Sequence, residues 1–155
     1  MTTTPEENEA LVRRFLSDVV AGRDTAAVDT FLAEDATDHN LVFGDRHEHK
    51  ELTTLGWRVL AAADVDVEIK DIVATDQRVA VRATIAGTHQ ESLMDLAPTG
   101  RSFTITYAWF CRIADGRIAE VWSLPDGLGL LQQLDALPEP PSNRSLNEPN
   151  VTPSQ

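Results

Sequence analysis

The chain has 155 residues, the length of one domain, and can bury about two thirds of its unfolded surface. Thirteen basic residues against 25 acidic ones leave a net charge of −12, which repels phosphate backbones and anionic lipid. Nucleic acid and membrane surfaces are therefore not expected partners, and no apolar run is long enough to span a bilayer.

The first element is announced by Thr4-Pro5-Glu6-Glu7, a capping box with proline at the first helical position. Leu11, Val12, Phe15, Leu16, Val19 and Val20 follow at three- and four-residue steps until Gly22. A second, short helix is predicted after Asp24, with Val28, Phe31 and Leu32 on one side. "ATDHN", Ala36 to Asn40, is a short extended segment leading to a third helix over about His47 to Ala61.

From Val65 the apolar period falls to two. Val65, Val67 and Ile69 alternate with charged residues, and a slip at Asp71-Ile72 predicts a bulge. "ATDQR" is a turn, after which Val79, Val81, Ala83 and Ile85 share one face. A long strand then places Phe103, Ile105, Tyr107, Trp109, Cys111 and Ile113 on one side. Asp115-Gly116 is a hairpin signal, and a last strand runs from Arg117 to Leu124. Helices first and a strand meander after them predict an α+β domain over residues 1–137, with helices on one sheet face. Residues 138–155 are rich in proline and poor in apolar residues, the composition of a disordered tail.

Three polar residues are candidates for chemistry. His89 falls on the core side of its strand when counted by twos from Val79, beside the room left by Gly87. Asp126, two pleats beyond Trp122 on the same side, is read equally as the N-cap of the helix Leu128 to Leu134 and as a poorly solvated acid beside an indole. His39 stands in "TDHN", where Asp38 could orient its ring. Trp57, Phe103, Tyr107, Trp109 and Trp122 are candidate flat walls for an aromatic ligand. His47-Glu48-His49 has the wrong helical spacing for metal ligands, so no metal is expected. Cys111 is the only cysteine and reads as a packed small hydrophobe. "MTTTPEENEA" carries no secretory pattern, and a cytoplasmic location is expected.

Together "DHN" (38–40), "RVAVRATIAGTHQ" (78–90), "APTGRSFTI" (97–105) and "RIADGRIAEVWSLPDGLGLLQQL" (112–134) resemble the SnoaL-like polyketide cyclases of the nuclear transport factor 2-like superfamily. The resemblance implies a cone-shaped, strongly curved antiparallel sheet closed by three helices around an apolar pocket, often in a homodimer. It implies cofactor-independent aldol-type ring closure on a small hydrophobic, polyketide-like carbonyl compound, with Asp126 as the acid–base and His89 and His39 at the pocket. Relatives often carry an aspartate straight after the tryptophan, where this chain has Ser123. Alternatives on the same fold are a ketosteroid isomerase-like enzyme, an epoxide hydrolase-like enzyme, and a non-catalytic ligand-binding or dimerising module.

Overall fold

The computed structural model describes residues 2–40, 64–92 and 96–137, with the side chains of Thr25 and Asn40 left aside. The expected helix over His47 to Ala61, Trp57 within it, and the tail 138–155 lie outside the described residues.

Helix α1, Pro5–Phe15, begins as its sequence predicts. The Glu7 N–H donates to the Thr4 hydroxyl, and the Thr4 N–H donates to the Glu7 carboxylate. The chain continues in wider π turns, Leu16–Ala21, ending at Gly22. Val12, Phe15, Leu16, Val19 and Val20 are buried, with Phe15 edge-on to Phe31 at 5.6 Å. Asn8 is buried on the same helix and donates to the Thr75 carbonyl at 2.9 Å, so a polar contact ties α1 to a sheet turn.

A 3-10 turn, Thr25–Ala27, leads into α2, Val28–Phe31. Leu32, expected on one side of this helix with Val28 and Phe31, instead opens strand β1, Leu32–Asn40. The "ATDHN" segment is thus the end of a nine-residue strand. Strands β2 (Asp66–Ala74), β3 (Arg78–Thr88), β4 (Ser102–Ala114) and β5 (Arg117–Pro125) follow. They form one curved five-stranded sheet in the order β1-β5-β4-β3-β2. Three of its pairings are antiparallel, but β1 runs parallel to β5, so the sheet is mixed rather than wholly antiparallel. The predicted bulge is present one residue earlier, between Ile69 and Asp71. Asp115 (φ 50°) and Gly116 (φ 71°) both take left-handed backbone, as a two-residue hairpin turn of the primed kind requires.

Alternation along the strands sorts side chains onto two faces. Val79, Val81, Ala83 and Ile85 of β3 and Phe103 to Ile113 of β4 bury their odd-numbered residues on the inner face, toward α1. The odd-numbered Val121 and Ser123 of β5 do the same, whereas Trp122 and Leu124 turn to the outer face. Trp122 is therefore not on the core side that a pocket wall requires. A bulge accounts for the difference: Arg112 pairs with Glu120 but Ile113 with Ile118, leaving Ala119 as an extra residue.

Strand β5 pairs with β4 only from Tyr107 onward, and helix α3, Gly127–Gln133, covers the remaining edge. The Gln133 carboxamide accepts from the Thr104 N–H at 2.8 Å and donates to the Thr104 carbonyl at 3.0 Å, as a neighbouring strand would. No helix among the described residues is long and apolar enough to cross a membrane.

Candidate functional site

Asp126 is the N-cap of α3. Its Oδ1 accepts from the Gly129 N–H at 2.9 Å, and a side chain at Gly129 would collide with that carboxylate. The glycine that weakens the helix is what lets its cap close. Asp126 is exposed, so the desolvated acid expected from its apolar neighbours is not formed. Pro125 and Leu124 lie beside it in sequence without covering it, because the strand has ended.

His89 is buried at 1% exposure on the inner side, as counting from Val79 predicts. It extends the β3–β4 ladder: its N–H donates to the Arg101 carbonyl and its carbonyl accepts from the Gly100 N–H. The Thr99 N–H donates to Nδ1 at 3.1 Å, so the ring hydrogen sits on Nε2. That Nε2 has no hydrogen-bond partner among the described residues. Asp126 does not meet it. The Asp126 N–H bonds to the Thr106 carbonyl, five residues along the chain from the Arg101 that holds His89, a separation of about 16 Å at the usual strand rise.

His39 faces outward. Its Nε2 lies 2.7 Å from Glu120 Oε1 and its ring stacks on Trp122, centroids 4.9 Å apart and planes 10° apart. Arg112 Nε donates to the other Glu120 oxygen at 2.8 Å, and the Arg78 guanidinium sits 5.6 Å from the Trp122 ring. Arg112 and His39 together hold the Glu120 carboxyl below its ordinary value. Trp122 therefore belongs to an outer charged cluster and not to a pocket wall. Phe103, Tyr107 and Trp109 do line the inner face, the last two stacked at 4.1 Å.

The inner face carries a second polar group that sequence reasoning misses. Asp38, neighbour of His39, points inward at 5% exposure. Its backbone partner is Val121, which also pairs with Cys111, so Asp38 and Cys111 share one inner row. Ser123, 2% exposed, stands in the next row beside Trp109, and the row after that holds Tyr107. Burial, aided by the negative charge of Asp38, pushes the Tyr107 phenol up to about 12 despite the opposing pull of the Ser123 side chain from a neighbouring inward position. Burial and the same charge push the Cys111 thiol up to about 12.

This arrangement has chemical content. The phenol is protonated at neutral pH and stands on the buried face beside a serine, so it supplies a hydrogen-bond donor to that face. The carboxylate on the same face is the proton acceptor available to such a donor. Signals for it exist in the letters: Tyr107 is the only tyrosine and lies on the inward parity of β4. Asp38 has no comparable signal, since its facing is set by pairing with a strand more than eighty residues away.

Comparisons with known proteins follow the same lines. The family model described as SnoaL-like polyketide cyclase matches residues 10–134. AclR from Streptomyces galilaeus, a proposed hydroxylase, is similar over 94% of this chain and 95% of its own, with 24% identity and a TM-score of 0.79. IdmH from Streptomyces antibioticus, a proposed polyketide cyclase, is 28% identical over 81% of this chain and 96% of its own, with a TM-score of 0.67. An LEH-like epoxide hydrolase from M. tuberculosis shares the fold at 21% identity, covering 84% of this chain and 90% of its own, with a TM-score of 0.64. No curated protein matches. The curved sheet and the length of the match agree: the chain belongs to the SnoaL-like polyketide cyclase family, on the nuclear transport factor 2-like fold.

Proposed function

We propose that this protein is a cofactor-independent, cyclase-type enzyme that enolises a small hydrophobic, polyketide-like carbonyl compound and closes a ring by aldol-type attack. The observation that carries this reading is the buried inner face on which Asp38, Ser123 and Tyr107 stand together, with the Asp38 charge felt at the Tyr107 phenol. Asp38 takes a proton from a carbon flanked by two carbonyls. The electron pair moves to the carbonyl oxygen that accepts from Tyr107. The enolate carbon then attacks a second carbonyl carbon in the same molecule, and the proton on Asp38 passes to the new alkoxide. Phe103 and Trp109 supply flat apolar walls, and His89 Nε2–H offers a further donor toward the other end of β4. Asp126 serves this scheme as the cap of α3 rather than as its acid.

An isomerase of the ketosteroid type is the second reading, favoured by the same tyrosine-plus-carboxylate pairing. It would return the proton to another carbon of an enone and leave no new ring. Epoxide opening is less well supported. Among the described residues Arg82, Arg101 and Arg112 each bond a carboxylate away from the inner row: Asp71, Asp135 and Glu120 respectively.

The test uses an aryl β-keto ester bearing a second ketone, incubated in D2O and followed by NMR for exchange at the acidic carbon and for ring closure. Wild type should accelerate both. Asp38→Asn and Tyr107→Phe should each lose about 10²-fold or more, the usual worth of a positioned proton-transfer group. Asp126→Asn should keep most of the rate, since asparagine also caps helices. Loss of rate in D126N with retention in D38N would move the chemistry to Asp126 and end this reading. Tight ligand binding without exchange would mark a binding module.

A further inference from the structure

Strand β1 is a weakly specified element with a strongly specified end. It lies at the edge of the sheet and its ladder is with β5. Leu32 pairs with Ile118 and Thr37 with Glu120, so five residues of β1 span the distance covered by two of β5. This irregularity leaves slack just before the four-pair ladder Thr37 to Asn40. Strand side chains alternate, so a slip of one residue there would turn Asp38 outward and His39 inward. Backbone hydrogen bonds alone do not distinguish the two registers, because both offer the same peptide groups. Something else must choose.

The outer face holds contacts that exist in one register only. His39 stacks on Trp122, its direct cross-strand partner, and reaches Glu120 beside it. Glu120 is itself held from β4 by Arg112, so one chain of contacts crosses β4, β5 and β1. Arg78 on β3 lies over the Trp122 ring. The side chains of His39 and Glu120 are 24% and 23% exposed, so water competes less for their hydrogen bond than it would at an open surface.

We propose that His39 is a positioning residue: through Glu120 and Trp122 on the outer face it fixes the register of β1 and so holds Asp38 on the inner face with Ser123 and Tyr107. This rests on the reading of the inner row as the working site, and it gives His39 a part in that site although it faces away from it. The signal the sequence offers, an aspartate and a histidine side by side, then has a physical meaning different from a hydrogen-bonded pair. Adjacent residues on a strand face opposite ways, and each serves its own side.

The single tyrosine makes the test possible without a substrate. Stopped-flow pH jumps, read by phenolate absorbance before the chain unfolds, give the Tyr107 midpoint in wild type, Asp38→Asn, His39→Ala and the double variant. Removing the Asp38 charge should lower the midpoint by about half a pH unit or more. H39A should lower it similarly, and the double variant should go no lower than D38N alone. His39→Gln, which can still bond Glu120, should restore most of the wild-type midpoint. NMR should show the Asp38–Val121 cross-strand contact in wild type and H39Q and its weakening in H39A. A midpoint in H39A equal to wild type, with D38N shifted, would overturn the role of His39 and leave the inner site standing. A D38N midpoint equal to wild type would overturn the inner site itself. Full additivity in the double variant would also refute the proposal, because His39 would then act without Asp38. Should H39A fail to fold, Glu120→Gln breaks the same contact more gently and is judged by the same comparison.

Discussion

The two faces of this sheet are made by the same strands, residue by alternate residue, yet they handle polar groups in opposite ways. On the inner face Tyr107, Ser123 and Asp38 are nearly sealed, and burial holds the phenol and the nearby thiol of Cys111 in their protonated forms. On the outer face Arg112, Glu120 and His39 keep contact with water, and Arg112 and His39 bond Glu120 and hold its carboxyl below its ordinary value. Trp109 inside and Phe110 outside are consecutive residues, 1% and 47% exposed. The difference is one of surroundings and not of residue type. A polar group tuned by exclusion of water suits proton transfer, while a polar group tuned by partners suits holding strands in place.

The comparison can be broken most sharply at that consecutive pair. Trp109→Ala should cost about 3–5 kcal/mol of unfolding free energy, the range for removing a buried aromatic side chain. Phe110→Ala should stay within about 0.5 kcal/mol, as surface changes do. Urea midpoints measure both, and similar losses at the two positions would mean that the faces are not distinct.

Alkaline titration comes next in size. A raised pKa in the fold means that the folded state holds its proton more tightly than the unfolded chain does. The stability this gives is intact below the unfolded values of 9.0 for Cys111 and 10.0 for Tyr107, and falls as pH rises toward about 12. For Tyr107 alone the loss is on the order of 2–3 kcal/mol. Tyr107→Phe should flatten part of that decline in a series of urea melts between pH 9 and pH 12.

The outer face should answer at the opposite end of the scale, and more weakly. Glu120 is held below its ordinary 4.5, so its share of stability is present above that pH and is lost as acid protonates it. With the pair partly open to solvent the effect should be about 1 kcal/mol or less. Comparing wild type with Glu120→Gln in melts from pH 6 downward, a range set by that 4.5, isolates the contribution. A larger acid-side loss at Glu120 than alkaline-side loss at Tyr107 would reverse the assignment of roles.

Much of this architecture can be read from the letters where the signal is local. The Thr4–Glu7 capping box, the alternation of β3 and β4, the Asp115-Gly116 hairpin and the inward His89 all rest on spacings within a few residues. The misreadings arise where geometry depends on distant partners. The extra residue at Ala119 inverts the parity of Trp122, and both Ile118 and Ala119 are apolar enough to hide it. Strand β1 has no clean alternation because its facing is imposed by β5 in a parallel pairing. Asp126 is legible as a cap, but whether a carboxylate at a strand end is covered depends on what folds over it. Ser123, which reads as a missing aspartate by resemblance, stands buried on the inner face one row from Tyr107.

The Gln133 carboxamide closing on Thr104 has a consequence beyond local tidiness. A chain ending before that glutamine would present a bare peptide group midway along a β-rich border, ready to recruit the corresponding border of another molecule. One side-chain amide thus guards this border, and any truncation near the end of the last helix should spare it.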